Sequence, residues 1–444
     1  MKQTVSVVGL GKLGLCLAAC FAKRGFLTIG VDVEENFVKK INDGHTPIVE
    51  PGLDELIAEL GGKQLIATTQ HRDAIEKTNM TFVLVATPSN PDGSFSNRHV
   101  ESALKSLASC LKDSAKPYHH FVISSTVAPG STESSFIPII EKYSGRKLNH
   151  GFTVSFDPDF VALGDVIKGF LKPDLIIIGE SSVEGGNELE AFHQAVCESK
   201  PRICRMSISS AEIAKVSLNA YITVKISFAN MLANLCESVA GADVDAITGA
   251  LGADKRISPY YLRGGLPYGG TCFPRDTFAF INFAASHGYD AEMIKAVEKV
   301  NHYQNEHLVG LVMKSLEAVE EKTVGILGLA FKEHTPVIVG SPAINLVTAL
   351  LQKGVSIVAY DPLAMEATQG LFDDAVQFVS SAQACLEMSG VCVVMNRLPE
   401  YIDSVETYSL ERKVVVVDCW RLIHTEKVPP AITLVGLGRM TPLS

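Results

Sequence analysis

The chain has 444 residues and a formal net charge of −10. At roughly 150 residues per domain, that length exceeds a single core and predicts two to three domains. The acidic balance argues against nucleic acid as a main partner, and no apolar run approaches the ~18 residues of a membrane span.

The first 200 residues alternate strand and helix. VSVVGL is predicted as a strand entering a glycine turn, with no signal-peptide pattern ahead of it. KLGLCLAACFAKRG follows as a helix ending near Gly25, and LTIGVDV is a second strand stopping at Asp32. FVKKIN opens the next helix. Further strands are predicted at 81–88, 120–126, 152–158 and 175–180. This alternation implies a parallel, doubly wound sheet with right-handed crossovers. From about Ser207 to Gly241 the pattern becomes one long helix of about 30 residues, apolar on more than one face, so domains or subunits are expected to pack on it. Shorter helices follow around DVDAITGAL and within 276–320. Residues 322–444 restart the alternation with TVGILGLAF, a helix over SPAINLVTALLQKG, VSIVAYDP ending at Asp361, VCVVMN and KVVVVDC. This amounts to an internal repeat of a dinucleotide-fold half. The expected fold class is α/β: two Rossmann-like doubly wound domains, 1–205 and 321–444, joined by a central helical domain, 206–320.

Gly9, Gly11 and Gly14 form G-x-G-x-x-G directly after a strand and before a helix. The first glycine permits the turn, the second lets backbone approach a pyrophosphate, and the third lets helix and strand pack closely. Asp32 ends the second strand, where its carboxylate would accept from a ribose 2′-OH and repel a 2′-phosphate, so NAD is expected rather than NADP. The second turn keeps Gly325 and Gly328 but lacks a third glycine. It fits either a fold repeat without a dinucleotide or one that takes a different nucleotide.

The ten cysteines include no CxxC pair and no His/Cys cluster at zinc spacing, so no metal is expected. A reduced, cytoplasmic protein with mostly buried thiols fits nine of them. Cys272 differs. In GGLPYGGTCFPRD it follows a run of glycines and precedes Asp276, which does not describe a core thiol and reads as a nucleophile loop. Lys215 and Asn219 lie four apart on the long helix and share one face. They fit stabilisation of a substrate oxyanion, although such a pair by itself more often marks a solvated stripe. Thr126, in SSTVAPGST after a strand end, fits a ligand loop or a plain turn.

These segments, with PIVEPGLDEL, VATPSNPDG, FDPDF, KPDLIIIGE, EIAKVSLNAY and LGLAFK, resemble the UDP-glucose/GDP-mannose dehydrogenase family over nearly the whole chain, on its UDP-glucose side. The resemblance implies a four-electron oxidation of a nucleotide-sugar C6 hydroxyl with two NAD⁺, giving UDP-glucuronate from UDP-glucose. Cys272 would form a thiohemiacetal and then a thioester. Lys215 and Asp276, with a water, would assist proton removal, and Lys215 and Asn219 would hold the oxyanion. Thr126 and Asp159 would orient the hydrolytic water. Gly9, Gly11, Lys12, Leu13, Gly14, Asp32, Thr87 and Thr126 are implied for NAD. Lys215, Asn219, Arg256, Tyr260, Tyr261, Leu262, Gly269, Phe331 and Lys332 are implied for the nucleotide sugar. A homodimer through the long helix is also implied. The sequence departs from the family in Asp159 for a glutamate, Leu163 for an acid, Arg275 for a lysine, and Val337–Ile338–Val339 where an aspartate and an arginine are usual. GDP-mannose or another nucleotide sugar, a two-electron hydroxyacid-type dehydrogenase that has no need of Cys272, and a non-catalytic binding homologue are the alternatives.

Overall fold

The computed structural model describes residues 4–440. The chain forms two compact units that divide at Ser217/Leu218. The first carries strands β1 (Thr4–Val8), β2 (Leu27–Val31), β3 (Leu65–Thr68), β4 (Met80–Val83), β5 (His120–Ile123), β6 (Lys147–Leu148), β7 (Gly151–Phe156), β8 (Leu175–Glu180) and β9 (Arg202–Ser207). Their order is β3-β2-β1-β4-β5-β7-β8-β9, with the short β6 beside β7. The β3-β2-β1-β4 core is parallel and is the mononucleotide-binding arrangement anticipated from the alternation. Strands such as LIIIGE (β8) are buried on both faces and accordingly read as near-continuous apolar runs.

The sheet is not parallel throughout. β7 and β8 pair antiparallel, Ser155 with Glu180 and Phe156 with Gly179. Their link, 157–174, holds only the six-residue helix Val166–Leu171, whereas a parallel return needs a fuller crossover. β9 then pairs parallel to β8 over six residues, so the boundary expected near 205 falls inside a strand of the first sheet.

The second unit has a six-stranded sheet: β10 (Thr323–Leu327), β11 (Ser356–Tyr360), β12 (Val376–Phe378), β13 (Val391–Val394), β14 (Val414–Asp418) and β15 (Ile432–Gly436), in the order β12-β11-β10-β13-β14-β15. Every pair is parallel, which is the full doubly wound order. Here the glycine turn does not open straight into a helix. Residues 328–341 intervene before the helix Pro342–Gln352, which Ser341 caps by accepting from Ala343 N–H.

The long helix runs Ile208–Cys236, a length that the absence of Gly and Pro permits. It buries Ala211, Val216, Ala220, Ala229 and Ala233 but leaves Tyr221, Phe228, Met231 and Leu235 exposed. Within one chain, then, one stripe of this helix stays open. Among the described residues no helix is long and apolar enough to cross a membrane, and no cluster of metal-ligating side chains occurs.

Candidate active site

In the first unit, the turn after β1 is built by steric necessity. Gly9 has φ +94°, and a Cβ on Gly14 would sit 1.8 Å from the Gly9 carbonyl oxygen. A Cβ on Gly11 would meet nothing within 4 Å, so this backbone is open to a ligand. Lys12 is exposed and Leu13 half-buried at the start of the helix Gly14–Lys23, whose first N–H groups face the turn. Asp32 braces the turn by accepting from Leu10 N–H at 2.6 Å, and from Glu34 N–H at 3.0 Å with its other oxygen. A carboxylate has about four lone-pair sites, so both oxygens retain capacity for a ribose hydroxyl.

At the ends of β4 and β5, the Thr87 hydroxyl donates to the Thr126 carbonyl at 2.7 Å. The loop after Thr126 is tied to the long helix by Glu212, which is fully buried. Its carboxylate accepts from Gly130 N–H (2.6 Å), Thr132 N–H (3.0 Å) and the Thr132 hydroxyl (2.6 Å). Burial pushes its pKa up, opposed by those bonds. Three residues further along the helix, Lys215 is 6% exposed. Its ammonium donates to the Asp159 carbonyl and lies 4.8 Å from the centre of the Phe160 ring. The reading of Lys215 as part of a solvated stripe does not hold. The same FDPDF segment is anchored at Asp157, whose two carboxylate oxygens face His193 Nε2 at 3.0 Å. Burial alone would lower the His193 pKa, but the Asp157 charge and hydrogen bond push it up to about 9.

In the second unit, Cys272 is the exposed member of the ten cysteines. Seven others are buried, and Cys110 and Cys204 are half-buried. Cys272 sits at the N-cap position of the helix Phe273–Ser286 without a side-chain capping bond, and Pro274 helps to start that helix. Asp276, one turn on and 1% exposed, accepts from Asn219 Nδ2 at 2.6 Å and from Arg275 Nε at 3.1 Å. A buried carboxylate is costly without such donors. Asn219, at 9% exposure, is likewise no surface residue.

The loop before the cysteine is pressed against the 328–341 segment that follows the central strand β10. A Cβ on Gly269 would sit 1.9 Å from the Gly340 carbonyl oxygen, and one on Gly270 would strike the Phe331 ring at 2.8 Å. Gly270 N–H donates to the Gly340 carbonyl at 3.0 Å. Phe331 N–H donates to the Val337 carbonyl, so the Val337–Val339 run closes a loop whose start, Phe331–Lys332, carries two of the expected substrate residues. Leu262 is buried, and Tyr261 (φ +61°) meets the Phe273 ring edge-on. Tyr260 is 76% exposed, and Arg256 lies in solvent, paired with Asp254 at 2.6 Å.

Three family models match in order: the NAD binding domain of the UDP-glucose/GDP-mannose dehydrogenase family over residues 3–197, its central domain over 209–303 and its UDP binding domain over 325–425. The chain belongs to the UDP-glucose/GDP-mannose dehydrogenase family. It is an NAD-dependent oxidoreductase of the nucleotide-sugar 6-dehydrogenase type. Among its relatives, the UDP-glucose 6-dehydrogenase AglM of Haloferax volcanii is 36% identical over 423 residues, 94% of this chain and 97% of that one. A GDP-mannose 6-dehydrogenase of Pseudomonas putida is 33% identical over 360 residues, 80% of each chain. The solved UDP-glucose dehydrogenase of Pyrobaculum islandicum superposes with a TM-score of 0.88 at 32% identity, covering 99% of this chain and 98% of that one.

The glycine turn suits the family's NAD: open backbone at Gly11, a helix N-terminus behind it and the Asp32 carboxylate beside it. The structure joins Thr87 with Thr126, Lys215 with the Asp159 backbone, Asn219 with Asp276, and Gly269–Gly270 with Phe331 and Gly340. Arg256 and Tyr260 instead face solvent. Motif reading passed over Glu212 and the Asp157–His193 pair. Glu212 lies three residues before Lys215 on the same apolar helix, and a buried-charge signal of that kind would have found it.

Proposed function

We propose that this dehydrogenase converts UDP-glucose to UDP-glucuronate by two successive two-electron oxidations through a covalent Cys272 intermediate. The carrying observation is the exposed Cys272 at a helix N-terminus, with the buried Asp276 one turn on and braced by Asn219. The partial positive charge there complements both a sulfur nucleophile and an oxyanion. When bound, NAD supplies the hydride acceptor for each oxidation, held by Gly9, Gly11, Lys12, Leu13, Gly14, Asp32, Thr87 and Thr126.

Lys215 and Asp276, with a water, take the C6 hydroxyl proton as the alcohol becomes an aldehyde. The Cys272 sulfur then adds to that carbonyl carbon, forming a C–S bond and a thiohemiacetal. This restores a tetrahedral carbon bearing hydrogen, which an aldehyde needs for a second hydride loss. Lys215 and Asn219, one turn apart on one helix, stabilise the oxyanion. Loss of that hydride leaves a thioester. Water oriented by Thr126 and Asp159 adds to it, and the C–S bond breaks to free the carboxylate and the thiolate. The balance is one alcohol, one water and two NAD⁺ to one carboxylate, two NADH and three protons. Leu262, Gly269, Phe331 and Lys332 are assigned to the nucleotide sugar, and so are Arg256, Tyr260 and Tyr261, whose exposed side chains are accessible to a ligand. The exposed apolar stripe of the long helix supports a homodimer. A reducing cytoplasm suits an exposed nucleophilic thiol.

Counting NADH per sugar consumed tests this reading. We expect two per UDP-glucose, and Cys272→Ser should release no acid. One NADH per sugar would support the hydroxyacid-type alternative. No turnover with UDP-glucose but turnover with GDP-mannose would reassign the substrate, and none with any nucleotide sugar would leave a binding protein.

A further inference from the structure

The segment just before Cys272 is irregular yet buried, from Gly264 through Tyr268. Buried backbone N–H and C=O groups must find partners. Arg421 donates to the Gly264 carbonyl (2.7 Å), and side chains of two helices supply partners further along the segment. Asn230, 1% exposed on the long helix, accepts from Gly265 N–H (2.8 Å) and donates to the Leu266 carbonyl (3.1 Å). Gln304, fully buried on the helix Glu292–Glu317, donates to the Gly265 carbonyl (2.6 Å), and its own carbonyl accepts from Asn234 Nδ2 (2.9 Å). Asn301, on the same helix, accepts from Tyr268 N–H (2.8 Å) and donates to the Tyr268 carbonyl (3.0 Å). The Tyr268 hydroxyl donates to Glu298. Glu298, Asn301 and Gln304 follow one another at three-residue spacing and so share a helix face.

A carboxamide is a neutral group that offers a donor and an acceptor at the spacing of a peptide unit. Two such amides each grip a backbone stretch on both its donor and acceptor sides, as a neighbouring strand would. The cysteine has no comparable anchor of its own: its sulfur is exposed and lies 3.6 Å from the Thr271 hydroxyl. A nucleophile placed this way takes its position from the backbone that carries it.

We infer that Asn230, Asn301 and Gln304 are positioning residues for the oxidation, an amide clamp that sets where the Cys272 loop presents its sulfur. The inference rests on the reading of Cys272 as the nucleophile. Displacements of about 1 Å at a reacting group cost on the order of a hundredfold in rate, so a loosened grip on the backbone that carries the sulfur is read in kcat.

The test uses the full-length protein with Asn230→Asp and Asn301→Asp. Each keeps the shape and the acceptor but turns a second oxygen towards the loop carbonyl. Three readouts are taken: kcat and KM with UDP-glucose and NAD, the rate of Cys272 alkylation by iodoacetamide without substrates, and Tm. We expect kcat to fall about 10- to 100-fold, the alkylation rate to change severalfold, and KM for NAD to stay within about twofold. A kcat within about twofold of wild type while Tm falls makes the amides merely structural and overturns the inference. A kcat loss with unaltered alkylation overturns it as well, because the sulfur has then not moved. If Asn230→Asp does not fold, Asn301→Asp and Gln304→Glu carry the same readouts. A wild type that never turns over, or a Cys272→Ser variant that stays fully active, defeats the nucleophile reading itself and is told apart from failure of the clamp.

Discussion

Single residues in this chain owe their chemistry to partners far away in sequence. Asp276 is buried because Asn219, 57 residues away, donates to it, and Lys215 is buried because the Asp159 carbonyl and the Phe160 ring receive its charge. His193 gives this a pH signature. Its pKa is about 9 in the folded chain against about 6.5 when unfolded. A raised pKa means the protonated imidazole favours the fold. The contribution is therefore fully present below about pH 6.5 and is lost as pH rises through about 9. Wild-type Tm should fall by a few degrees more across that window than the Tm of His193→Ala, measured by calorimetry at matched ionic strength. Parallel curves for the two proteins would remove the Asp157–His193 pair as a stabilising contact.

At the scale of elements, helices and loops are locked by buried polar side chains as much as by apolar packing. Glu212 ties the 128–132 loop to the long helix with three accepted hydrogen bonds. In Glu212→Gln an amide nitrogen would face either Gly130 N–H or the Thr132 donors, leaving one unsatisfied at about 1–3 kcal/mol. We expect a lower Tm and a severalfold higher KM for NAD, because Thr126 heads this loop and holds the Thr87 hydroxyl. An unchanged KM beside a lowered Tm would show that the loop keeps its shape without the helix. The glycines were legible because their requirement is local. A helix starting right after a strand end leaves no room at Gly9 and Gly14, and the motif announces this. Asn230, Asn301 and Gln304 were not legible, because an amide in a helix gives no sign of which distant backbone it will grip.

At the scale of the whole molecule, the long helix carries an uncovered apolar stripe. Tyr221, Phe228, Met231, Leu235 and Val239 stand 42–62% exposed along and just beyond it. Large apolar side chains repeated at helical spacing are a liability unless a partner covers them. If this stripe is a subunit interface, the wild type should show twice the single-chain mass by light scattering, and a Phe228→Asp/Leu235→Asp double variant should show the single-chain mass. A wild type that is monomeric at micromolar concentration would remove the long helix as a subunit interface.

By itself, the sequence determined the fold class, the dinucleotide turn, the long helix and the singular cysteine. Each of these is fixed by short-range rules: strand–turn–helix sterics, helical periodicity, and a thiol among glycines next to a carboxylate. Tertiary structure alone decided that Lys215 and Asn219 are buried, since a polar pair on a helix face reads the same whether it meets water or a carboxylate. It also decided the antiparallel turn at β7–β8, because chain direction depends on how a short link packs rather than on strand composition. The side chains that hold the cysteine loop came from the same source, for their partners lie 33 to 39 residues away and only folding brings them together.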